Sequence, residues 1–314
     1  MSADFRSSTS IKNPHFLDTP VLFLTFNRPS LAKTVFPEIQ RAQPERLFIA
    51  SDGPRQGVEG ERELVEQTRE SILAAIDWKC DIQTLFRTEN LGCRRAVTEA
   101  ITWFFSSVDS GIILEDDCLP HPTFFGFCRE LLDRYHDDSR VMMISGDNFQ
   151  GGRWRGDSSY YFSRYAHIWG WATWRRAWQL LDANLGTLGA FEEQGQWKNL
   201  FDDNESAHWR HVLSMVQSGE IDTWDYIWLY SVLSNGGLCA MPNVNLVTNI
   251  GFGDAATHTK GMSPLANIPR AGLGEIKHPK FVLPNRAADA HTFAHQWSGI
   301  SEKGLVARLL ERLR

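Results

Sequence analysis

The first half of the chain alternates short apolar runs with longer amphipathic stretches. Residues 20–26 (PVLFLTF) are apolar and stop at Asn27-Arg28-Pro29, which predicts a strand ended by turn chemistry, with Ser30 placed to cap the next helix. Residues 46–51 (RLFIAS) repeat the pattern and stop at Asp52-Gly53-Pro54. The charged, periodic stretch from about 58 to 77 predicts a helix with Leu64, Ile72 and Ile76 inward. Residues 81–86 predict a third strand, and Glu89-Asn90-Leu91-Gly92 lead into a helix over 93–107. A fourth strand, 111–114, runs straight into Glu115-Asp116-Asp117; a helix over 123–136 and a fifth strand at 140–145 follow.

Strands this uniformly apolar, separated by helices, predict an α/β fold with a mostly parallel sheet covered on both faces. Such sheets bind ligands outside the carboxyl ends of their strands. Each polar cluster of this half falls at one of those ends. After residue 150 the pattern loosens. Residues 151–159 read as a loop, 160–178 are crowded with aromatics, and 205–218 and 223–234 predict helices. A short strand near 244–248 precedes a Gly-rich segment, 249–261; residues 262–298 are dotted with Pro and Gly, and 300–314 predict a basic amphipathic helix.

Composition narrows the class. The 314 residues carry a net charge of -6 with both signs interspersed, so there is no basic field for nucleic acid. An apolar content of 42% and a mean hydropathy of -0.31 exclude a disordered chain. No apolar run reaches the ~20 residues of a spanning helix. The polar start and five unpaired-looking cysteines lead to the expectation of a cytoplasmic protein. Twelve Trp and 19 Phe are the unusual figure.

Three consecutive carboxylates at a strand end repel one another unless a cation sits among them. Hard divalent ions such as Mn²⁺ or Mg²⁺ take such oxygens and bridge to phosphates; a solvated acidic turn is the plainer alternative. The order VLFLTFNRP, SDGPR, RTENLGCRRAV and IILEDDCLPHPTFF resembles the GT-A class of nucleotide-sugar glycosyltransferases, over roughly residues 20–260. The segment ILEDDCLPHPTFFGF is most similar to the N-acetylglucosaminyltransferase I family and to related bacterial proteins of polysaccharide gene clusters. The resemblance implies a GT-A, Rossmann-like sheet, with a nucleotide-sugar-binding half at 19–150 and an acceptor-side half of the same GT-A domain at 151–262; a tail at 1–18 precedes it, and an extension at 263–314, ending in the amphipathic helix, follows. It implies that Asp117 ligates the metal and that Glu115 and Asp116 face the ribose and donor sugar. Asn27 and Arg28 would lie beside the nucleotide, Asp52 would accept from the base, and Arg87, Asn90, Gly92 and Arg95 would close over it. Asn27 as a turn cap and Arg95 as a surface residue are the simpler roles.

The aromatic segment supplies the acceptor side. Indole faces stack on the C–H faces of sugars, which makes Trp169, Gly170, Trp171 and Trp224, with Asp147, candidates for an acceptor or sugar pocket, although half of these Trp belong in an ordinary core. Thr223-Trp224-Asp225-Tyr226 sets a carboxylate among aromatics at a helix start. Apolar surroundings raise a carboxyl pKa, as a general base needs; a structural helix-terminal charge is the alternative. In the resembled family a similar Trp-Asp-x-x-Trp segment carries the base, so Asp225 takes that role, with Asp222 and Asp147 as substitutes. One base without a paired carboxylate favours single displacement with inversion. His258, and less so Lys260, could reach the metal or diphosphate from the Gly-rich segment. The reading is a metal-dependent inverting transferase of hexosyl or N-acetylhexosaminyl type, taking a UDP-linked sugar to a glycan or lipid-linked acceptor. A sugar nucleotidyltransferase, or a non-catalytic sugar- or nucleotide-binding protein on the same fold, are the alternatives. The helix over 300–314 suits packing on its own domain or a homodimer; peripheral contact with the inner membrane face is the less favoured option.

Overall fold

The computed structural model describes residues 17–252 and 265–297. Its strands are β1 (Val21–Thr25), β2 (Arg46–Ser51), β3 (Asp81–Phe86), β4 (Ser110–Glu115), β5 (Cys118–Pro120), β6 (Val141–Ser145), β7 (Tyr160–Ser163), β8 (Trp171–Trp174), β9 (Leu238–Pro242) and β10 (Val247–Asn249). The helices are α1 (Pro29–Ala42), α2 (Glu61–Ala74), α3 (Cys93–Ser107), α4 (Thr123–Arg134), α5 (Arg175–Trp178), α6 (Leu188–Glu193), α7 (Trp197–Leu200), α8 (Asp203–Ser218), α9 (Asp225–Ser234) and α10 (Arg286–Gln296).

Eight strands form one sheet in the order β3-β2-β1-β4-β8-β6-β9-β7, and β5 pairs with β10 beside it. The fold is α/β, with all strands of the large sheet except β7 and β8 running the same way. Alternate residues of β1 explain why its sequence is apolar throughout. Val21 and Phe23 pack toward α1, α2 and α4, whereas Leu22 and Leu24 pack toward α3 and α9. Covering both faces leaves every side chain of the strand buried. Phe48 of β2 meets Phe104 of α3 edge-on, with ring centroids 4.9 Å apart. A third core lies under α8 and α9, where Trp209, Val212 and Tyr230 pack together.

The structure departs from the sequence pattern in several places. Leu64 is exposed and Val65 turns inward in its place, with Thr68; Ile72 is inward as expected, and Ile76 packs half-buried against the same core. The aromatic segment yields β7 and β8, and β8 sits in mid-sheet between β4 and β6. Strand β9 and helix α10 were not apparent from the pattern at all. The second half therefore supplies three strands, β7, β8 and β9, to the large sheet. The segment over 300–314, with the dimer and membrane contacts expected of it, lies outside the described residues. Among the described residues no helix is long and apolar enough to cross a membrane.

Candidate functional site

Strands β1 and β4 are neighbours, with Leu24 opposite Glu115, yet the chain leaves β1 toward β2 on the other side. Strand order reverses here, and a crevice opens beyond the strand ends. Residues 26–28 after β1 face residues 115–117 after β4 across it. Phe26 donates its N–H to Asp116 Oδ2 at 3.4 Å. Arg28 donates Nη1–H to Asp117 Oδ2 at 2.9 Å and Nη2–H to Asp116 Oδ1. The cation among the three carboxylates is thus the protein's own guanidinium. Burial opposes its charge, but Asp116 and Asp117 outweigh that and raise the Arg28 pKa. Glu115 is pushed up to about 8, by burial first and the Asp117 charge second. Asp116 is raised by burial, with Arg28 opposing. Glu115 Oε1 is buried and unpartnered among the described residues.

A cavity of about 320 Å³ opens over the ends of β1 and β2, rimmed by Arg28, Arg55 and Arg87. Asp52 follows β2 there. Its carboxylate accepts from Asn90 Nδ2 at 2.9 Å and from the Leu91 N–H at 3.1 Å, and burial raises its pKa. Asp52 therefore holds the loop ahead of α3, whose N-terminal Gly92 also lines the cavity. Arg69 ties the ends of β2 and β3 by donating to the carbonyls of Ser51, Asp52 and Arg87.

A second cavity, about 200 Å³, adjoins the first; Arg28, Cys93, Glu115, Asp117 and Asp222 line both. Asp225, the first residue of α9, lines its wall. Its Oδ1 accepts from the Thr223 hydroxyl and from the Tyr226 N–H at 2.9 Å, which fixes the carboxylate's orientation. Trp169 and Trp224 also line this cavity. Asp147, after β6, is wholly buried; Oδ2 accepts from the Trp169 N–H at 3.0 Å, and burial raises its pKa well above the ordinary range. Nearby His167 is pushed down to about 3 by burial and is neutral. Gly251 presses on Asp117: a Cβ there would lie 2.3 Å from Oδ2.

The crevice brings together Arg28, Asp52, Arg87, Asn90, Gly92, the acidic triplet, Asp147, Trp169, Trp224 and Asp225. Four expected residues stand elsewhere. Asn27 donates Nδ2–H to Glu61 at 2.8 Å and lines neither cavity, so it braces α2. Arg95 is 67% exposed and pairs with Glu99 one turn along α3. Trp171 is fully buried within β8, stacked on Trp224 at 5.7 Å, because its strand is central in the sheet. Gly170 has φ +70° and lies against Val247, so its lack of a side chain serves the approach of β10 rather than of a ligand. His258 and Lys260 lie outside the described residues. Arg55 was missed, although it stands in the SDGPR segment that carried part of the resemblance; Asp222 was considered only as a substitute base.

Among the described residues no group of three or more His, Cys, Asp or Glu is arranged to hold a metal ion. Asp117 with the unpartnered oxygen of Glu115 suits a divalent ion that arrives with phosphates, since such ions often take only one or two protein carboxylates.

No family model matches the chain, and no curated protein sequence does. Solved structures similar to it are distant. TarS (residues 1–349) of S. aureus is 14% identical over 54% of this chain and 48% of that one, with a TM-score of 0.33. The chain thus spans about half the length of that structure. A cytidylyltransferase from Leptospira borgpetersenii is 12% identical over 69% of this chain and 94% of that one, again with a TM-score of 0.33. Likenesses this distant say nothing of chemistry.

Proposed function

We propose that the protein is a glycosyltransferase of the GT-A type, moving a sugar with inversion from a nucleoside-diphosphate sugar, UDP-linked, to a hydroxyl acceptor. The observation that carries this reading is the pair of cavities joined at the acidic triplet. One is rimmed by arginines suited to an anionic nucleotide. The other is walled by indoles and holds an oriented carboxylate. The ILEDDCLPHPTFFGF segment at the junction adds the resemblance to the N-acetylglucosaminyltransferase I family.

The charge balance at the junction also bears on the metal. Even with Glu115 neutral, Asp116 and Asp117 outnumber the Arg28 guanidinium that they hold. A diphosphate would meet net negative charge there. Asp117 would hold Mn²⁺ or Mg²⁺ together with phosphate oxygens, and the ion when bound offsets charge on the departing diphosphate. Arg55 and Arg87 would steady the nucleotide, and Trp169 would stack a sugar face. Asp225 would take the proton of the acceptor hydroxyl as that oxygen attacks the anomeric carbon, while the bond to the diphosphate breaks on the opposite face.

Calorimetric titration with UDP tests the donor site. Affinity should fall at least about tenfold when Mn²⁺ is replaced by a chelator; equal affinity in both would remove the metal role, and no binding in either would remove the donor reading. Asp225→Asn should lower turnover by roughly 10²–10⁴, the usual range for a lost general base, while donor affinity holds. Full turnover in that variant would move the base elsewhere.

A further inference from the structure

Asp147 takes no part in the transfer step described above, yet it is the most completely buried carboxyl on the sugar-side cavity. Its backbone is clamped. The Asp147 N–H donates to Ser145 Oγ at 3.1 Å, and that hydroxyl donates to the His167 carbonyl at 2.8 Å. Its side chain is half satisfied. Oδ2 accepts from the Trp169 N–H, whereas Oδ1 is buried without a partner among the described residues. An unpaired buried polar atom is costly, and native folds keep few of them without a water, ion or ligand to complete them.

The surroundings indicate what would complete this one. Phe149 and Trp169 line the same cavity and meet edge-to-face at 5.2 Å. Neutral His167 lies edge-to-face on Phe149 at 4.6 Å. Flat apolar faces beside this free oxygen suit a pyranose, which pairs C–H faces with hydroxyls. They do not suit a second phosphate.

We propose that Asp147 determines which sugar the cavity accepts: with Oδ2 tied to Trp169, Oδ1 hydrogen-bonds one ring substituent, a hydroxyl or an N-acyl carbonyl. This rests on the reading of the smaller cavity as a sugar site. Burial pushes the carboxyl well above its ordinary range and so favours its protonated form, in which Oδ1 can donate as well as accept. Asparagine reproduces that arrangement, with its carbonyl toward Trp169 and its NH₂ in the place of Oδ1; leucine fills the same space with no polar atom.

The test compares wild type, Asp147→Leu and Asp147→Asn, with near-UV circular dichroism to check folding. Calorimetry with Mn²⁺ uses UDP, UDP-glucose and UDP-N-acetylglucosamine. Saturation-transfer NMR uses the methyl glycosides of glucose and N-acetylglucosamine, which separates a donor sugar from an acceptor sugar. UDP alone should bind all three proteins within about threefold. The affinity that a sugar adds to UDP, or the glycoside signal, should fall about tenfold or more in Asp147→Leu. Most of that loss should return in Asp147→Asn. If Asp147→Leu does not fold, Asp147→Ser, whose hydroxyl is too short to reach, takes its place. Unchanged sugar preference in the leucine or serine variant overturns the assignment, as does an asparagine variant no better than leucine. If UDP does not bind wild type, the donor reading fails and the glycoside signals alone decide Asp147. Equal glycoside signals in wild type and variant, or none in wild type, then overturn it.

Discussion

The burial of Asp147 has a consequence for stability that needs no ligand. An unfolded Asp ionises near pH 3.9, by the reference value. In the fold, desolvation raises its pKa well above that. Between the two values the folded chain keeps a proton that the unfolded chain has lost. Stability therefore falls as pH rises through this window, by up to about 1.4 kcal/mol per unit. The titratable groups facing Asp147 stay uncharged there: His167 is neutral, and burial raises the thiols of Cys118 and Cys239. Asp147→Asn carries no such proton. The melting temperature of the variant minus that of wild type should be smallest near pH 4 and should widen toward pH 7. A gap that stays constant with pH would mean that the folded Asp147 is ionised. The position of Asp147 at a strand end was readable from the sequence; its depth was not, because burial depends on Trp169 and Phe149 folding over it. The same holds for Arg28. Sequence placed it near the nucleotide, but only the crevice shows that it binds the acidic triplet.

Among the elements, β1, β2, β4 and β6 were readable because both faces of each are covered, which forces near-continuous apolar runs, whereas β3, at the sheet edge, is half-exposed. Strands β7 and β8 escaped because YYFS and WATW are four-residue aromatic pieces without alternation, and a short aromatic run fits core, pocket or helix alike. Strand β8 separates two tryptophans that sequence reasoning had grouped. Trp171 is sealed between Trp178, Trp224 and Trp228, with centroids at 6.2, 5.7 and 5.8 Å. Trp169 precedes the strand and lines the cavity against Phe252. Trp171→Ala should cost about 3–5 kcal/mol in denaturant unfolding, the range for a large core truncation. Trp169→Ala should cost clearly less stability but weaken sugar binding by calorimetry. Equal stability losses would mean that Trp169 is as much core as its neighbour.

For the whole molecule, the decisive fact is that the sheet runs through both halves. Strand β4 gains its second partner only from β8, which arrives some sixty residues later in the chain. The face of the sheet beneath α3 is completed by Trp171, Trp178, Trp224 and Trp228, all from the second half. Residues 265–297 add further ties: Asn285 donates its N–H to the Phe162 carbonyl at 2.7 Å, and Arg270 bonds Glu38 of α1 at 3.1 Å. A donor-binding half that folds alone is therefore not expected. A fragment of residues 17–150 would bare the β4 edge and the apolar face that those tryptophans cover, an arrangement prone to association. It should show no cooperative thermal transition, whereas the full chain should unfold in one, with near- and far-ultraviolet circular dichroism coinciding. A fragment that melts cooperatively, or two resolved transitions in the full chain, would show two units instead. Coupling of this kind suits the site, because both cavities share Arg28, Glu115 and Asp117 on one wall. A shift of either half would move the triplet with respect to Asp225, and the single sheet holds that spacing.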